Sequence, residues 1–150
     1  MIRDYFSTII VKQSDLAIMA EAQLKIKRLL QDKASEQAIR EVLGGISFSA
    51  AVLGFFAVPT VSALVSLVAA IGSMTSQSER EIAVGGLGRG QDGLTDMSSQ
   101  LRYITKYDLY EIEFIFADYT VNGKTLTYVQ SDGKVKRAHV KNGNGWEIFN

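Results

Sequence analysis

The sequence contains no cysteine, and only one histidine and one proline, among its 150 residues. Without cysteine the chain forms neither disulfides nor thiolate metal sites, and its composition does not indicate a redox compartment. Its 16 lysine and arginine residues balance 16 aspartate and glutamate residues, so the formal net charge is zero. Because a nucleic-acid-binding protein needs a basic face to neutralise phosphates, this composition argues against nucleic acid as a partner.

Signatures of catalysis are also missing. His139, the only histidine, lies on a predicted strand, and a metal site would need at least three ligands that converge. Glu111 and Glu113 share one face of another predicted strand, where alternating acids are more typical of a solvated surface than of a glycosidase pair. Residues 88–93 match the pattern G-x-G-x-x-G but lack the strand and the βαβ unit that give it meaning. We therefore predict a protein that is not an enzyme and binds no cofactor or metal.

Charge is missing altogether from residues 42–78. The apolar part, residues 46–72, is long enough for a helix to cross about 30 Å of hydrocarbon, but Pro59 interrupts a helix near its middle. We therefore predict two arms of about 20 Å each that form a helical hairpin around Pro59. Small residues four apart, such as Ala50 and Gly54, would let the arms approach closely. The side chains predicted to face a membrane or an interface are Phe48, Leu53, Phe55, Phe56, Pro59, Leu64, Leu67 and Ile71.

An amphipathic helix is predicted before the hairpin. Residues 16–43 are rich in good helix formers, and their apolar residues recur on one face at three- and four-residue steps. The pattern is interrupted near Ala34 and ends at Gly44, since glycine readily takes the left-handed conformation found at helix C-termini. Residues 5–11 are apolar and β-branched, which fits either a short strand or the first turns of a helix.

A run of glycines follows the hairpin. After a short helix with a capping box formed by Ser78 and Glu81, residues 85–93 contain five glycines, which cost conformational entropy to order. We predict a flexible hinge between a helical region, residues 1–84, and a second region, residues 94–150. The hinge glycines are Gly85, Gly86, Gly88, Gly90 and Gly93.

A helix and a four-stranded antiparallel meander are predicted for the second region. Apolar spacing favours a helix over residues 94–107, and the period then changes to two at residues 110–116. Asn122-Gly123 and Asp132-Gly133 are strong hairpin signals, because a type I′ turn needs positive φ at both central residues. The other strands are predicted at 125–130, 134–140 and 146–149, with a third turn at 142–145. The predicted fold class is therefore α+β.

A basic cluster lies on the third predicted strand and the turn after it. It either binds anionic lipid headgroups or forms a solvated strand face that protects an edge against aggregation. Its members are Lys134, Lys136, Arg137 and Lys141.

The uncharged hairpin, with an amphipathic helix before it and a glycine run after it, resembles in layout the hydrophobic hairpin of bacterial pore-forming toxins such as the pore-forming colicins. The resemblance covers residues 42–78, rests on layout rather than on a motif, and transfers no functional residue. It implies a membrane-active protein, a pore-forming or membrane-inserting toxin-like domain of bacterial or phage origin, with a lipid membrane as its partner. The meander has no counterpart in colicin pore domains.

A second interpretation is a non-enzymatic structural or interaction module of a larger assembly. The hairpin is then a buried core or an oligomer interface, and the partner is a protein, with a homo-oligomer expected. The N-terminus does not fit a signal peptide, because Asp4 interrupts it and no small-residue cleavage site follows. We expect a protein that is membrane-associated or secreted without a classical signal peptide.

Overall fold

A computed structural model of the chain describes residues 1–143 and 145–149. Within these residues, five helices pack on one antiparallel sheet of five strands, which confirms the predicted α+β class. The elements follow the order β1 (Ile2–Val11), α1 (Gln13–Gln31), α2 (Glu36–Gly44), α3 (Ala50–Phe55), α4 (Val61–Met74), α5 (Gln77–Leu101), β2 (Tyr107–Val121), β3 (Lys124–Val129), β4 (Lys134–Val140) and β5 (Trp146–Ile148).

The first strand joins the two ends of the chain in one sheet. β1 pairs antiparallel with β2 in a continuous register, from Ile2 opposite Tyr119 to Val11 opposite Tyr110. Its apolar and β-branched residues favour a strand, and the structure shows that this segment is a strand and not the start of a helix. The predicted helical region, residues 1–84, therefore shares its sheet with the C-terminal strands.

Strands β3 and β4 are two halves of one long strand beside β2. β3 pairs with the C-terminal half of β2 and β4 with its N-terminal half. Between them, Gln130 N–H donates to the carbonyl of Ile115 at 2.9 Å, so the chain keeps following the same edge. The turn from β2 to β3 lies at Asn122-Gly123, with φ of 48° and 79°, and this predicted turn is confirmed.

The predicted hairpin at Asp132-Gly133 is wrong. β3 and β4 do not pair with each other, and Gly133 is not among the described residues with positive φ. Glycine is needed there because a Cβ would lie 2.4 Å from Cε1 of Phe114. The sheet order is β1-β2-β4-β5 with β3 beside β2, and not a four-stranded meander. Strand β5 does pair with β4, while Asn144, in the third predicted turn, lies outside the described residues.

The amphipathic segment 16–43 forms two helices rather than one. α1 ends at Gln31, and α2 begins after Ser35, whose side chain accepts a hydrogen bond from Ala38 N–H at 3.2 Å. Serine is a favoured N-cap because it satisfies one of the first free amides of a helix. The predicted interruption is therefore confirmed. α2 ends at Gly44 as predicted, although the next residue has φ of −82° and is not left-handed.

The apolar segment does not form the predicted pair of equal arms. Ser49 caps the first helix, so α3 starts only at residue 50, and Ala57, at φ of 57°, ends it before Pro59. The residue before a proline is also disfavoured in a helix, which leaves room for six residues. α3 packs mainly on α1, whereas α4 packs mainly on α2 and β3, so the predicted antiparallel hairpin is replaced by two separate packing sites.

The predicted glycine hinge lies in the middle of the longest helix. α5 runs from residue 77 to 101, and its N-cap is Ser76, whose Oγ accepts from Glu79 N–H at 3.3 Å. A Cβ on Gly90 would lie 1.6 Å from the carbonyl oxygen of Val129. Glycine therefore allows α5 to lie directly on the backbone that links β3 to β4, and it does not create a flexible joint at this site. α5 also packs along the length of α1.

Candidate functional site

One side of the sheet is turned to solvent over β1, β4, β5 and the N-terminal half of β2. Directly opposite residues of antiparallel strands lie on the same face, so Phe6 shares this side with Ile115, and Ile10 shares it with Glu111. The intervening residues of β2, such as Phe114, are buried in the core. We call this side the outer sheet face, and its members are Phe6, Thr8, Ile10, Leu109, Glu111, Glu113, Ile115, Lys134, Arg137, His139, Trp146 and Ile148.

Large apolar side chains are exposed on the outer sheet face. Phe6 is 71% exposed, Ile10 49% and Ile148 77%, while Leu109 and Ile115 are half-buried. A single exposed apolar residue on a protein surface is ordinary. Several that share one face of a sheet are typical of a contact surface for another molecule.

Charged side chains hold the only tryptophan of the chain in place on this face. The guanidinium of Arg137 lies 4.2 Å from the ring centre of Trp146, and its Nε donates to Glu111. The His139 ring meets the same indole edge-on at 5.3 Å, and its Nδ1 lies 2.8 Å from Oδ1 of Asp108. The hydrogen bond with His139 lowers the pKa of Asp108 below its ordinary value. Tryptophan and arginine are the residue types that most often anchor protein–protein contacts.

A second polar cluster fastens β5 to the start of β2. Lys106 Nζ lies 2.8 Å from Oε1 of Glu147, and the Tyr107 hydroxyl donates to the other carboxylate oxygen. The hydrogen bond from Lys106, followed by that from Tyr107, lowers the pKa of Glu147. The same carboxylate raises the pKa of both partners. These groups keep a strand of three residues in its position in the sheet.

The edges of the sheet differ in whether other parts of the chain cover their main-chain groups. At the outer edge of β3, the buried side chain of Gln23 accepts from Val129 N–H at 2.7 Å and donates to Val129 C=O at 2.9 Å. It also donates to the carbonyl of Leu87 on α5, so this edge is covered. β5 presents an edge of only three residues. Within the described residues β1 pairs on one side only, and we call its unpaired side the β1 edge.

The residues predicted to face a membrane or an interface do not gather on one surface. Phe55, Phe56, Leu64 and Ile71 are buried in the core. The others are half-buried or, at the proline, exposed; they are Phe48, Leu53, Leu67 and Pro59. The exposed positions of this segment carry small residues, such as Ala50, Ala51, Gly54, Ser62 and Ser66. No helix among the described residues combines the length and apolar character needed to cross a membrane.

The predicted hinge glycines lie on α5, and three of them, Gly86, Gly90 and Gly93, are buried. The G-x-G-x-x-G pattern therefore lies inside a helix and not between a strand and a helix.

In the predicted basic cluster, Arg137 forms an ion pair with Glu111, and Lys134 lies opposite Glu113 in the strand register. Over the described part of the chain, no group of histidine and carboxylate side chains is arranged to hold a metal ion.

A groove of about 650 Å³ lies between the C-terminal end of α1, α2 and α4, with Arg80 at its margin. Arg80 is buried and donates to the carbonyls of Leu30 at 2.8 Å and Gly72 at 3.1 Å. Both carbonyls belong to the last turns of helices, where cations are favoured. Arg80 therefore joins the ends of α1 and α4, and its two guanidinium hydrogen bonds serve the fold.

The sequence pattern did not single out the most exposed large apolar residues of the strands, Phe6, Ile10 and Ile148. A signal for β1 was present, because the segment is β-branched, lacks proline and carries two charges in ten residues. The pattern gave no indication that Gln23 covers the edge of β3, since a glutamine on a helix is usually exposed. Its partner Val129 is more than 100 residues away in the sequence.

Comparisons with protein-family models, curated proteins and solved structures found no match to this chain.

Proposed function

We propose that this protein is a non-enzymatic interaction module that binds another protein through the β1 edge and the outer sheet face. One observation carries the proposal: a ten-residue strand with an unpaired edge also exposes the apolar side chains of Phe6 and Ile10. A long, exposed and apolar edge strand is a template for pairing with a further strand.

Addition of a partner's strand to the β1 edge would pair its free main-chain groups and cover its exposed side chains. Main-chain hydrogen bonds to the unpaired edge supply affinity, and the side chains that alternate along the strand supply specificity. Apolar surface removed from water contributes about 25 cal/mol per Å², so covering Phe6 and Ile10 adds to the main-chain bonds. The pattern of Trp146, Arg137 and Glu111 on the adjoining face offers a partner both stacking and charge contacts.

The apolar segment, residues 46–72, supports this module as part of its core, with Phe56, Leu64 and Ile71 buried. Membrane activity is a second proposal, which is favoured by the uncharged small residues that α3 and α4 expose, such as Ala50 and Ser62. It requires the buried side chains of this segment to leave the core, whereas the interaction module does not.

A fluorescently labelled peptide with the sequence of residues 1–12 tests the interaction module. We expect a saturable rise of fluorescence anisotropy when the full chain is titrated into the peptide, because the peptide adds a strand to the β1 edge. The variant Phe6→Lys should bind about tenfold more weakly or worse, since a charge replaces a large apolar contact between neighbouring strands.

The matched control is Ile82→Lys, which places the same charge at a residue that is 59% exposed on α5, away from the sheet. It should bind the peptide as the unchanged chain does, and both variants should have the melting temperature of the unchanged chain measured when dilute. Absence of saturable binding up to about 1 mM protein, or equal loss in both variants, would overturn the proposed function.

A further inference from the structure

We propose, on the basis of the function above, that the partner at the β1 edge is a second copy of this chain. The two β1 strands pair antiparallel about a two-fold axis that passes beside Phe6. The two sheets then join into one continuous sheet across the axis.

The backbone groups available for this pairing follow from the first residue. Met1 and Thr120 exchange two hydrogen bonds, each of 2.9 Å, and so form a hydrogen-bonded pair of the antiparallel ladder. Such pairs alternate with pairs that do not bond to each other, and the register of β1 with β2 is uninterrupted. Odd-numbered residues of β1 therefore bond to β2, while even-numbered residues point their N–H and C=O groups outward.

The outward groups select one register. They belong to five residues of β1, namely Ile2, Asp4, Phe6, Thr8 and Ile10. A two-fold axis at Phe6 pairs all five with outward groups of the second copy, whereas a shift in either direction leaves at least one residue of each strand unpaired. Two bonds for each pair give about ten hydrogen bonds across the axis.

The side chains agree with this register. Ile2 lies opposite Ile10 of the other copy, Phe6 opposite Phe6, and Asp4 opposite Thr8, whose hydroxyl is a donor for the carboxylate. The two charges of the strand meet no like charge, since the remaining one, Arg3, lies opposite Ile9 and is paired with Asp118 of its own chain. Apolar pairs and donor–acceptor pairs of this kind stabilise neighbouring strands.

The strand carries little of what prevents edge pairing. Proteins protect edges with charged side chains, above all lysine, with proline, with bulges or with a covering element. β1 has no proline, lysine or bulge between residues 2 and 11, and its two charges, Arg3 and Asp4, lie near its start. The same molecule covers the edge of β3 with Gln23 and α5, so the difference between the two edges favours pairing at β1.

Single cysteines test the register, because the chain has none of its own. In Phe6→Cys the two thiols lie opposite each other across the axis, with Cα atoms about 5.5 Å apart, within the range of a disulfide. We expect Phe6→Cys to form a disulfide-linked dimer under mild oxidation. Thr8→Cys, on the same strand and face, should not, since it lies opposite Asp4. Circular dichroism checks that both variants are folded.

Sedimentation equilibrium of the unchanged chain completes the test, with a reversible dimer as the expected result. Phe6→Lys and Phe6→Glu should each be monomeric, with dimer affinity lowered about tenfold or more, and an equimolar mixture should form a dimer again. A monomer at every concentration, with the peptide still bound, overturns the second copy but leaves the proposed function standing. A dimer that Thr8→Cys links and Phe6→Cys does not overturns the axis at Phe6. If the chain forms no dimer and the 1–12 peptide does not bind, both proposals are overturned.

Discussion

Gly90 is buried where α5 lies on the strand that follows β2. The carbonyl oxygen of Val129 occupies the place where a side chain would begin, and Gly93 has a similar contact with the carbonyl of Ser131. Five glycines in nine residues predicted flexibility from local entropy alone. The backbone contacts that require glycine at positions 90 and 93 are formed by residues almost 40 positions further along the chain. The local pattern of glycines therefore contained no signal for these contacts.

Two alanine substitutions on α5 separate the packing role of glycine from its flexibility. Gly90→Ala should lower the free energy of unfolding by about 3 kcal/mol or more, because the new Cβ meets a backbone carbonyl that cannot rotate away. Gly85→Ala meets only the end of the Arg89 side chain, at 3.4 Å. It should raise stability by about 0.5–1 kcal/mol, since alanine is the better helix former. Urea unfolding followed by circular dichroism measures both.

If both substitutions change the free energy of unfolding equally and only slightly, α5 does not pack closely against residues 129–131. The predicted hinge would then be the better account of this segment, because a flexible joint tolerates a methyl group at either position.

Strands were the elements that the sequence predicted best. The change of period to two at residues 110–116 located β2, although this strand runs from Tyr107 to Val121, and the turn residues placed β3, β4 and β5 within a few residues. Their pairing was predicted less well. Asp132-Gly133 has the composition of a tight turn, but the chain stays beside β2, and Gly133 is there to make room for the Phe114 ring. Pairing depends on such contacts between distant residues, which a local pattern does not contain.

Acid should loosen the β4–β5 pair before the rest of the fold. The pKa of Glu147 is lowered by Lys106 and Tyr107, and that of Asp108 by His139. A carboxyl group whose pKa is lowered by folding stabilises the fold above its ordinary pKa, 4.5 for Glu147, and loses this contribution as the pH falls through the lowered value. We expect the fluorescence of Trp146, on β5, to change as the pH falls below about 4.5, before the far-ultraviolet circular dichroism does.

The variant Glu147→Gln is the control for this acid transition. It removes the titrating group but retains hydrogen-bonding capacity, so its fluorescence should change less over the same interval. If fluorescence and circular dichroism change together in both proteins, β5 is not held by these charges independently of the core.

At the scale of the whole molecule, the uncharged stretch, residues 42–78, runs from the end of α2 through α3 and α4 to the start of α5. Its large side chains are mostly buried in the core, apart from Pro59 and Met74, and many of its small ones are exposed. The sequence predicted the apolar character of this segment and its break at Pro59, but it left open which neighbours would cover it. The candidate site could be predicted only in part, because the exposure of Phe6 and Ile10 depends on which sheet edge stays unpaired.

Amide hydrogen exchange, resolved by residue with NMR, tests the central claim most directly. The full chain is measured when dilute, with saturating 1–12 peptide, and with anionic liposomes. We predict that the outward amides of Asp4, Phe6, Thr8 and Ile10 exchange fast in the dilute chain and are protected by the peptide. The amides of α4 should stay protected in all three samples. If liposomes expose α4 to exchange while the peptide protects none of the β1 amides, the interaction module is contradicted and the membrane-active proposal is favoured.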